Sequence, residues 1–317
     1  MARIGYALSS EEHGPTDLVR YAKLAEDAGF EFASISDHFH PWVDAQGHSP
    51  FVWSVLGACA TATTRLRFGT GVTCPLIRMH PAIVAHAAAT TAAMMPGRFY
   101  LGLGTGENLN EHVTGAKWPP AKVRLDMLEE AIDVIRDLWR GEETSHYGEH
   151  YTVENARIYT VPPTPPPIYI AAKGERAVAL AAQKGDGLIA VAPDEKLVER
   201  FEAEGGSGKP KYGMVHVCWA PSEDEGVRTV HRQWPNAGIG GELGSELPLP
   251  RHYEQAAKTV RESDVAEHVP CGPDPEKHRA AIQEYTNAGF DHVYVHQIGP
   301  RQEEFMRFFA EDVLPKL

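Results

Sequence analysis

A short apolar run leads directly into a cluster of reactive side chains at Phe32-Ala33-Ser34-Ile35-Ser36-Asp37-His38-Phe39-His40-Pro41-Trp42. The first four residues are typical of a buried strand. The residues after them bring a carboxylate, two imidazoles and an indole together. Enzymes built from parallel strands place their chemistry where such strands end. The stretch therefore predicts an α/β fold with a catalytic centre at residues 37–42.

The sequence on both sides repeats the pattern of a strand followed by a helix. Strands are predicted at residues 3–8, 32–35, 66–72, 98–104, 168–172, 187–191, 212–219 and 292–296. Helices are predicted at residues 16–28, 51–64, 81–95, 122–139, 175–184, 194–203, 274–288 and 303–314. Such alternation favours right-handed crossovers and a parallel sheet. With about eight repeats, a single (β/α)8 TIM barrel over residues 1–317 fits better than the alternative, a doubly wound sheet.

Three segments interrupt this pattern, at about residues 108–121, 141–166 and 233–255. The second is polar and alternating, which predicts a β-hairpin laid over the barrel and closed by the proline-rich residues 162–167. The third is rich in glycine and proline and lacks periodicity, which predicts a mobile excursion near the substrate. A proline-rich linker between two domains is the alternative, but strands and helices alternate on both sides of it.

Composition excludes several classes of function. The chain has 317 residues, 43% of them hydrophobic and 23% charged, with a formal net charge of -13. That charge disfavours nucleic acid and anionic membranes. We expect a cytoplasmic protein, because the sequence shows neither a signal-like apolar region nor a run long enough to span a membrane. Cys59, Cys74, Cys218 and Cys271 are dispersed, which predicts buried thiols and no metal site.

Three motifs occur in a recognisable order and spacing: Asp37-His38-Phe39-His40-Pro41-Trp42, Gly69-Thr70-Gly71-Val72-Thr73 and Gly102-Leu103-Gly104-Thr105-Gly106-Glu107-Asn108-Leu109-Asn110-Glu111. With residues 291–300, they resemble bacterial luciferase-like barrels. The resemblance is to the branch of dehydrogenases that use the deazaflavin coenzyme F420, which includes the glucose-6-phosphate enzyme. It covers nearly the whole chain and is weakest over residues 201–269. It implies a TIM barrel with the coenzyme at its C-terminal mouth.

The resemblance also implies the chemistry: a hydride passes from a carbinol carbon of the substrate to C5 of the deazaflavin. His38 aligns with the base for the substrate hydroxyl, and Trp42 with an indole that stabilises the charged intermediate. Glu107 aligns with the residue that handles the proton at the coenzyme. Glu11 matches a second acidic position near the substrate, with Glu12 as the alternative.

The residue types support these roles independently. A histidine with an ordinary pKa near 6.5 is suited to accept a hydroxyl proton at neutral pH. A carboxylate such as Asp37 or Glu11 beside the imidazole would favour its protonated form. Each residue also has a structural interpretation. A histidine at a strand end is often only hydrogen-bonded, as we expect for His40, and Trp42 alone could be packing.

The resemblance implies a coenzyme site that involves two further parts of the chain. Gly71-Val72 aligns with a non-proline cis peptide that supports the ring, and Asn110 with an asparagine that contacts the ring. Glycines such as Gly106 let backbone approach a planar ring closely. The turn Ala171-Ala172-Lys173-Gly174 looks like an anion-binding strand–helix turn, where backbone N–H groups and the helix dipole meet a phosphate. Asp37, Val191 and Ala192 complete the predicted coenzyme contacts.

The match fails where the sugar-phosphate enzymes carry cations for the substrate phosphate. This chain has Asp194 and Gln255 at those places, with Lys196 and Lys258 nearby. A phosphate dianion needs cationic partners. We therefore expect a neutral alcohol, an unphosphorylated sugar or a hydroxylated lipid as the small-molecule substrate.

Other activities remain open on the same barrel. They are reduction by reduced F420 in the opposite direction, an FMN-dependent luciferase-like monooxygenase, and a barrel that binds F420 without turnover. The retained base, acid and indole argue against the last of these. A homodimer is expected because homodimers are common in such families.

Overall fold

The chain forms a closed barrel of eight parallel strands. The structure is a computed structural model that describes residues 2–239 and 241–317. The barrel strands are β1 (Arg3–Leu8), β2 (Phe32–Ile35), β3 (Arg67–Thr70), β4 (Phe99–Leu103), β7 (Ile168–Ala171), β8 (Gly187–Ala190), β9 (Lys211–Val217) and β10 (His292–Gln297). Their order around the barrel is β1-β10-β9-β8-β7-β4-β3-β2. The predicted TIM barrel is confirmed, and the doubly wound sheet is wrong because β1 closes on β10.

Helices surround this barrel. They are α1 (Pro15–Ala28), α2 (Val52–Ala62), α3 (Pro81–Met94), α4 (Asn108–Glu111), α5 (Ala121–Leu138), α6 (Glu175–Lys184), α7 (Glu195–Phe201), α8 (Glu223–Gln233), α9 (Leu243–Glu246), α10 (Pro250–Ala257), α11 (Glu262–Ala266), α12 (Pro275–Asn287) and α13 (Gln302–Phe308). The predicted helices are found with ends that differ by a few residues. The sequence pattern did not reveal α8, because this helix is strongly polar and buries only Gly226 and Val230.

Aromatic side chains fill the barrel interior beneath its C-terminal mouth. The ring centroids of Tyr100, Tyr169 and Tyr212 lie 4.9 to 5.0 Å apart, and Phe32 meets Tyr212 at 5.1 Å. Gly69 makes room for this layer, because a Cβ there would lie 1.9 Å from the Tyr100 ring. Large interior side chains turn the barrel into a packed core and leave the loops at the C-terminal ends to form the site.

The hairpin predicted in residues 141–166 exists but does not cover the barrel. Its strands, β5 (Thr144–Tyr147) and β6 (Thr152–Ala156), pair antiparallel. Glu130 of α5 binds the hairpin through His146 and through the N–H groups of His150 and Tyr151. The hairpin contributes no residue to the cavity described below. The alternation of residues along its strands predicts a hairpin without specifying which neighbour it packs against.

The excursion after Trp234 is partly helical. A 3-10 turn (Pro235–Gly238), α9 and most of α10 lie in residues 233–255, where the composition predicted aperiodic chain. Tyr253 of α10 is buried, and its hydroxyl donates to the carbonyls of Gly244 (2.9 Å) and Leu247 (3.2 Å). These contacts tie the segment to itself above the barrel mouth.

Two smaller expectations concern cysteines and membranes. All four cysteines are buried free thiols, as predicted. Among the helices in the described residues, none combines the length and apolar character needed to cross a membrane.

Candidate active site

A cavity of about 680 Å³ opens at the C-terminal ends of the barrel strands. Its wall includes residues that follow β1, β2, β3, β4, β7 and β8, together with residues near the ends of β9 and β10. Most of the predicted site residues line it: Glu11, His38, Trp42, Gly71, Val72, Gly106, Glu107, Ala171, Ala172, Lys173, Gly174 and Val191. Asp37, Asn110 and Ala192 do not. The strand ends thus bring one cluster together from distant parts of the sequence.

His38 is held in one tautomer by the backbone. Its Nδ1 lies 3.2 Å from the carbonyl oxygen of His40, which can only accept a hydrogen bond. Nδ1 therefore carries the hydrogen, and Nε2 is left to accept a proton. Nε2 lies 3.4 Å from Oε1 of Glu11, and the His38 side chain is 10% exposed. This arrangement orients the imidazole and places a carboxylate where it stabilises a protonated ring.

Glu11 is itself fixed by two hydroxyl groups. Ser36 Oγ donates to its Oε2 at 2.6 Å and Ser9 Oγ at 3.1 Å. The other oxygen, Oε1, is the one that faces His38. Glu11 and its alternative Glu12 are both buried.

Trp42 lies beside His38 and links it to the excursion. The two ring centroids are 5.0 Å apart, and the Tyr253 ring meets the indole edge-on at 5.2 Å. The backbone N–H of Trp42 donates to the side-chain oxygen of Gln46, whose amide group in turn donates to the carbonyl of Gln233. The indole is therefore packed, as the structural interpretation holds, and also exposed to the cavity.

Glu107 enters the cavity from the loop after β4. Asn110 donates to its Oε2 at 3.3 Å. The amide oxygen of Asn110 accepts the N–H groups of Phe39 (2.9 Å) and His40 (3.2 Å). Asn110 thus clamps the loop that carries His38 to the loop that carries Glu107. The ring contact that the resemblance implied stays a prediction.

Asp37 belongs to a buried ion network below the cavity. Its carboxylate pairs with Arg78 at 2.8 Å and accepts the Thr73 hydroxyl at 2.8 Å. Arg78 also meets Glu111 at 3.4 Å. The network joins the loops after β2, β3 and β4. It explains why the carboxylate of Asp37, the residue before His38 in sequence, does not reach the cavity.

The wall formed after β3 and β4 is backbone-rich. The Gly71–Val72 peptide bond is cis, as the resemblance implied. A Cβ on Gly104 would lie 2.6 Å from Val72, and one on Gly106, whose φ is +71°, would lie 2.5 Å from the sulfur of Cys74. Val72, Ala171 and Met214 pack on the aromatic layer below. The result is an apolar bed suited to a flat ring system.

The turn before α6 has the features of an anion site. Gly174 precedes the helix, no side chain caps its first turn, and a Cβ there would meet nothing within 4 Å. The first N–H groups of a helix lack internal acceptors. Lys173 and Arg176 line the cavity at this end. Val191 lies at the adjoining rim and is 58% exposed, whereas Ala192 is exposed outside the cavity.

Sequence reasoning missed a second polar group in the wall: His216, His296 and Trp234. The two histidines lie opposite each other in β9 and β10, and Trp234 packs edge-on against His296 at 4.7 Å. Two histidines in otherwise apolar strands were the available signal, but the register that pairs them cannot be derived from either strand alone.

Comparison with known proteins matches this geometry. Residues 1–292 match the family model described as luciferase-like monooxygenase. The chain belongs to this family. A relative from Kribbella flavida, named F420-dependent glucose-6-phosphate dehydrogenase, is 38% identical over 99% of this chain and 98% of its own length. One of the same name from Microbacterium testaceum is 35% identical, over 99% and 97%.

A solved structure is similar over the same span. It is described as an F420-dependent secondary alcohol dehydrogenase in complex with an F420-acetone adduct. The TM-score is 0.92 at 29% identity, over 98% of both chains. This member of the luciferase-like monooxygenase family therefore shares both its fold and its extent with F420-dependent dehydrogenases.

The cavity of this family member has cations at one end only. Among its described lining residues, Lys173 and Arg176 are the Lys and Arg side chains, and both lie near the start of α6. Asp194 instead accepts the N–H of Leu197 as the cap of α7. Gln255, Lys196 and Lys258 are exposed and do not line the cavity. Neither nearby lysine thus restores the missing phosphate contact.

Proposed function

We propose that this protein oxidises a neutral, unphosphorylated hydroxyl compound, with transfer of a hydride from the hydroxyl-bearing carbon to F420 and with His38 as the general base. The coarser statement follows from the family and from relatives that cover the whole chain: the protein is an F420-dependent oxidoreductase acting on CH-OH groups. The observation that carries the proposal is the orientation of His38. Its Nδ1 is engaged by a carbonyl and its Nε2 is available beside Glu11 at the cavity wall.

The residues of the site fit the coenzyme. The apolar bed over Val72, Ala171 and Met214 suits the flat ring, and the uncapped start of α6 with Lys173 suits a phosphate. When bound, the deazaflavin supplies a ring carbon, C5, that accepts a hydride. Glu107, which accepts a hydrogen bond from Asn110, is the carboxyl group on the same side of the cavity as Val72. It is proposed to exchange the coenzyme proton.

The other residues act on the substrate. His38 removes the hydroxyl proton at Nε2, which makes loss of a hydride from the carbon easier. Glu11 then stabilises the imidazolium, since its Oε1 lies 3.4 Å from Nε2. Trp42 covers the imidazole and excludes water from that side, because its ring is held by Tyr253.

The charge distribution supports a neutral substrate. Phosphate recognition uses charge-assisted hydrogen bonds from Arg or Lys. The described cations of the cavity lie where α6 begins, which is the end proposed for the coenzyme phosphate. The rest of the cavity offers histidines, indoles, backbone and the carboxyl groups of Glu11 and Glu107. The relatives named glucose-6-phosphate dehydrogenases therefore predict the reaction type of this chain better than its substrate.

The direct test mixes purified protein and oxidised F420 with secondary alcohols, unphosphorylated sugars and sugar phosphates. Bleaching of the coenzyme absorbance with neutral compounds, and not with glucose 6-phosphate, is the expected result. Preference for the phosphate ester would refute the substrate class. A parallel binding titration with F420 and FMN distinguishes the monooxygenase alternative, for which FMN would bind more tightly. Reduced F420 with the corresponding ketones tests the opposite direction.

A further inference from the structure

Three side chains form a hydrogen-bonded row that the mechanism above does not use. Glu12 Oε2 lies 2.8 Å from Nε2 of His296, and Nδ1 of His296 lies 2.8 Å from Nδ1 of His216. The second oxygen of Glu12 accepts the N–H of Gly299 at 2.9 Å. The row therefore begins at a fully engaged carboxylate and ends at the ring of His216, which lines the cavity.

The strand order places this row across the cavity from the loops after β3 and β4. Around the barrel, β9 stands four strands from β3 in either direction, and β10 stands four strands from β4. His216 and His296 thus face the loops that carry Gly71, Val72 and Glu107, and all of these residues line one cavity. A substrate that occupies this cavity can therefore reach His216.

The row is held in a defined charge state. Although burial opposes ionisation, the hydrogen bonds from His296 and from the N–H of Gly299 keep the pKa of Glu12 below its ordinary value. Burial, together with the neighbouring His296, lowers the pKa of His216 to about 3. His216 is therefore an uncharged imidazole at neutral pH, and the Glu12 carboxylate is ionised.

One nitrogen of His216 is left for a ligand. Nδ1 is engaged by His296, and among the described residues no hydrogen-bond partner reaches Nε2. The ring lies beside Trp234, with centroids 5.6 Å apart. A substrate that covered this nitrogen without bonding to it would forfeit a hydrogen bond that water provides in its absence.

We propose that His216 is a specificity-determining residue whose Nε2 hydrogen-bonds a second, uncharged oxygen of the substrate, with Glu12 and His296 as positioning residues. This inference rests on the proposed function and narrows it to diols, polyols and unphosphorylated sugars. A second anionic group is disfavoured because the ionised Glu12 lies behind the two rings and no Lys or Arg among the described lining residues lies on this side.

The row also sets which kind of oxygen is preferred. The ionised Glu12 can only accept, so His296 donates to it from Nε2, and the uncharged His216 donates from Nδ1 to Nδ1 of His296. Nε2 of His216 is then an acceptor and selects a hydroxyl, which can donate, over an ether, which cannot. In Glu12→Gln, the amide donates to His296 instead. The hydrogens reverse along the row, and Nε2 of His216 becomes a donor.

The test measures kcat/KM with F420 for three compounds on one carbon chain: a secondary alcohol, the same alcohol with a second hydroxyl, and its methyl ether at that second position. Several spacings between the two oxygens are included. We expect the wild type to favour the diol over the plain alcohol by about tenfold at the best spacing. His216→Phe should bring that ratio near unity. His292→Phe, at the far end of β10, is the matched control and should keep the wild-type ratio.

Glu12→Gln provides a second reading that does not depend on the folding of His216→Phe. It should lower the ratio of diol to methyl ether while the diol stays ahead of the plain alcohol. A wild type without preference at any spacing, a preference that survives His216→Phe, or an unchanged ratio in Glu12→Gln would each overturn the inference while alcohol oxidation itself stands. If no alcohol or sugar bleaches the coenzyme, the proposed function falls, and this inference falls with it.

Discussion

Glu11 and Glu12 are neighbours in sequence, yet each pairs with a different histidine on a different side of the cavity. Glu11 meets His38 at 3.4 Å, and two serine hydroxyls saturate its other oxygen. Glu12 meets His296 at 2.8 Å, and its other oxygen is bound by a backbone N–H. The His38 side chain is 10% exposed, whereas His296 is almost fully buried and also hydrogen-bonds to His216.

In the proposed mechanism, one loop supplies two functions. Glu11 orients His38 as the proposed base, whereas Glu12 fixes the His296 ring and, through it, the proposed hydrogen-bonding direction of His216. Each of the following predictions is a way to break or sharpen this contrast.

His38→Ala should have the largest effect. We expect turnover to fall by about two to four orders of magnitude, the usual range for one general base. F420 affinity, measured by binding titration, should stay near the wild-type value, because His38 does not belong to the apolar bed or to the start of α6. An equal loss of binding and turnover would mean that His38 is structural, and the contrast between the two pairs would disappear.

Glu107→Gln tests a carboxyl group that has no histidine partner. We expect turnover to fall by roughly 10- to 100-fold and the pH dependence of kcat to change, since the amide cannot exchange a proton. Asn110 can still bond to the amide oxygen, so the loop should keep its place. If the pH profile of the variant matches that of the wild type, Glu107 lies outside the proton path.

Glu11→Gln compares the two pairs directly. The amide keeps an oxygen for the Ser9 and Ser36 hydroxyls but cannot stabilise a charged imidazole, so we expect about a tenfold loss of kcat for every substrate. Glu12→Gln should instead change the ratio between substrates. The measurement is kcat for the plain alcohol and the diol in both variants. Identical patterns in the two would show that the pairs are equivalent.

The pH dependence of the free energy of unfolding should report on His216, the residue that the Glu12–His296 pair positions. The lowered pKa of His216 means that the unfolded chain binds a proton between pH 6.5 and about 3 that the folded chain does not, so stability rises with pH over this window. We expect the wild type to lose about 3 kcal/mol more than His216→Phe between pH 7 and pH 4, because only the unfolded wild type takes up this proton in that range. Denaturant unfolding at both pH values measures this, and parallel losses would refute it.

The sequence could predict the features that depend on short stretches of neighbouring residues. The barrel follows from alternating strands and helices, and the bed and the anion turn follow from glycine-rich stretches at strand ends. Two of the predicted coenzyme residues, Asp37 and Asn110, lie outside the cavity wall because of contacts with distant parts of the chain. Asp37 is withdrawn from the cavity by Arg78, 41 residues away, and Asn110 clamps a backbone 70 residues earlier.

The residues that were missed share that cause. His216 and His296 acquire a role only because β9 and β10 pair in a register that puts them side by side. Their partner Glu12 lies 284 residues from His296 and was set aside in favour of its neighbour. No periodicity in one segment carries information of this kind.

Tyr253 connects the excursion to the indole of the proposed site, because its ring packs on Trp42 while its hydroxyl donates to the carbonyls of Gly244 and Leu247. Grafting this excursion onto a homologous barrel would therefore transfer Tyr253 without its aromatic partner Trp42. In an alignment of natural relatives, positions 42 and 253 should covary. In chimaeras that exchange one of these residues without the other, turnover should no longer depend on which excursion is present.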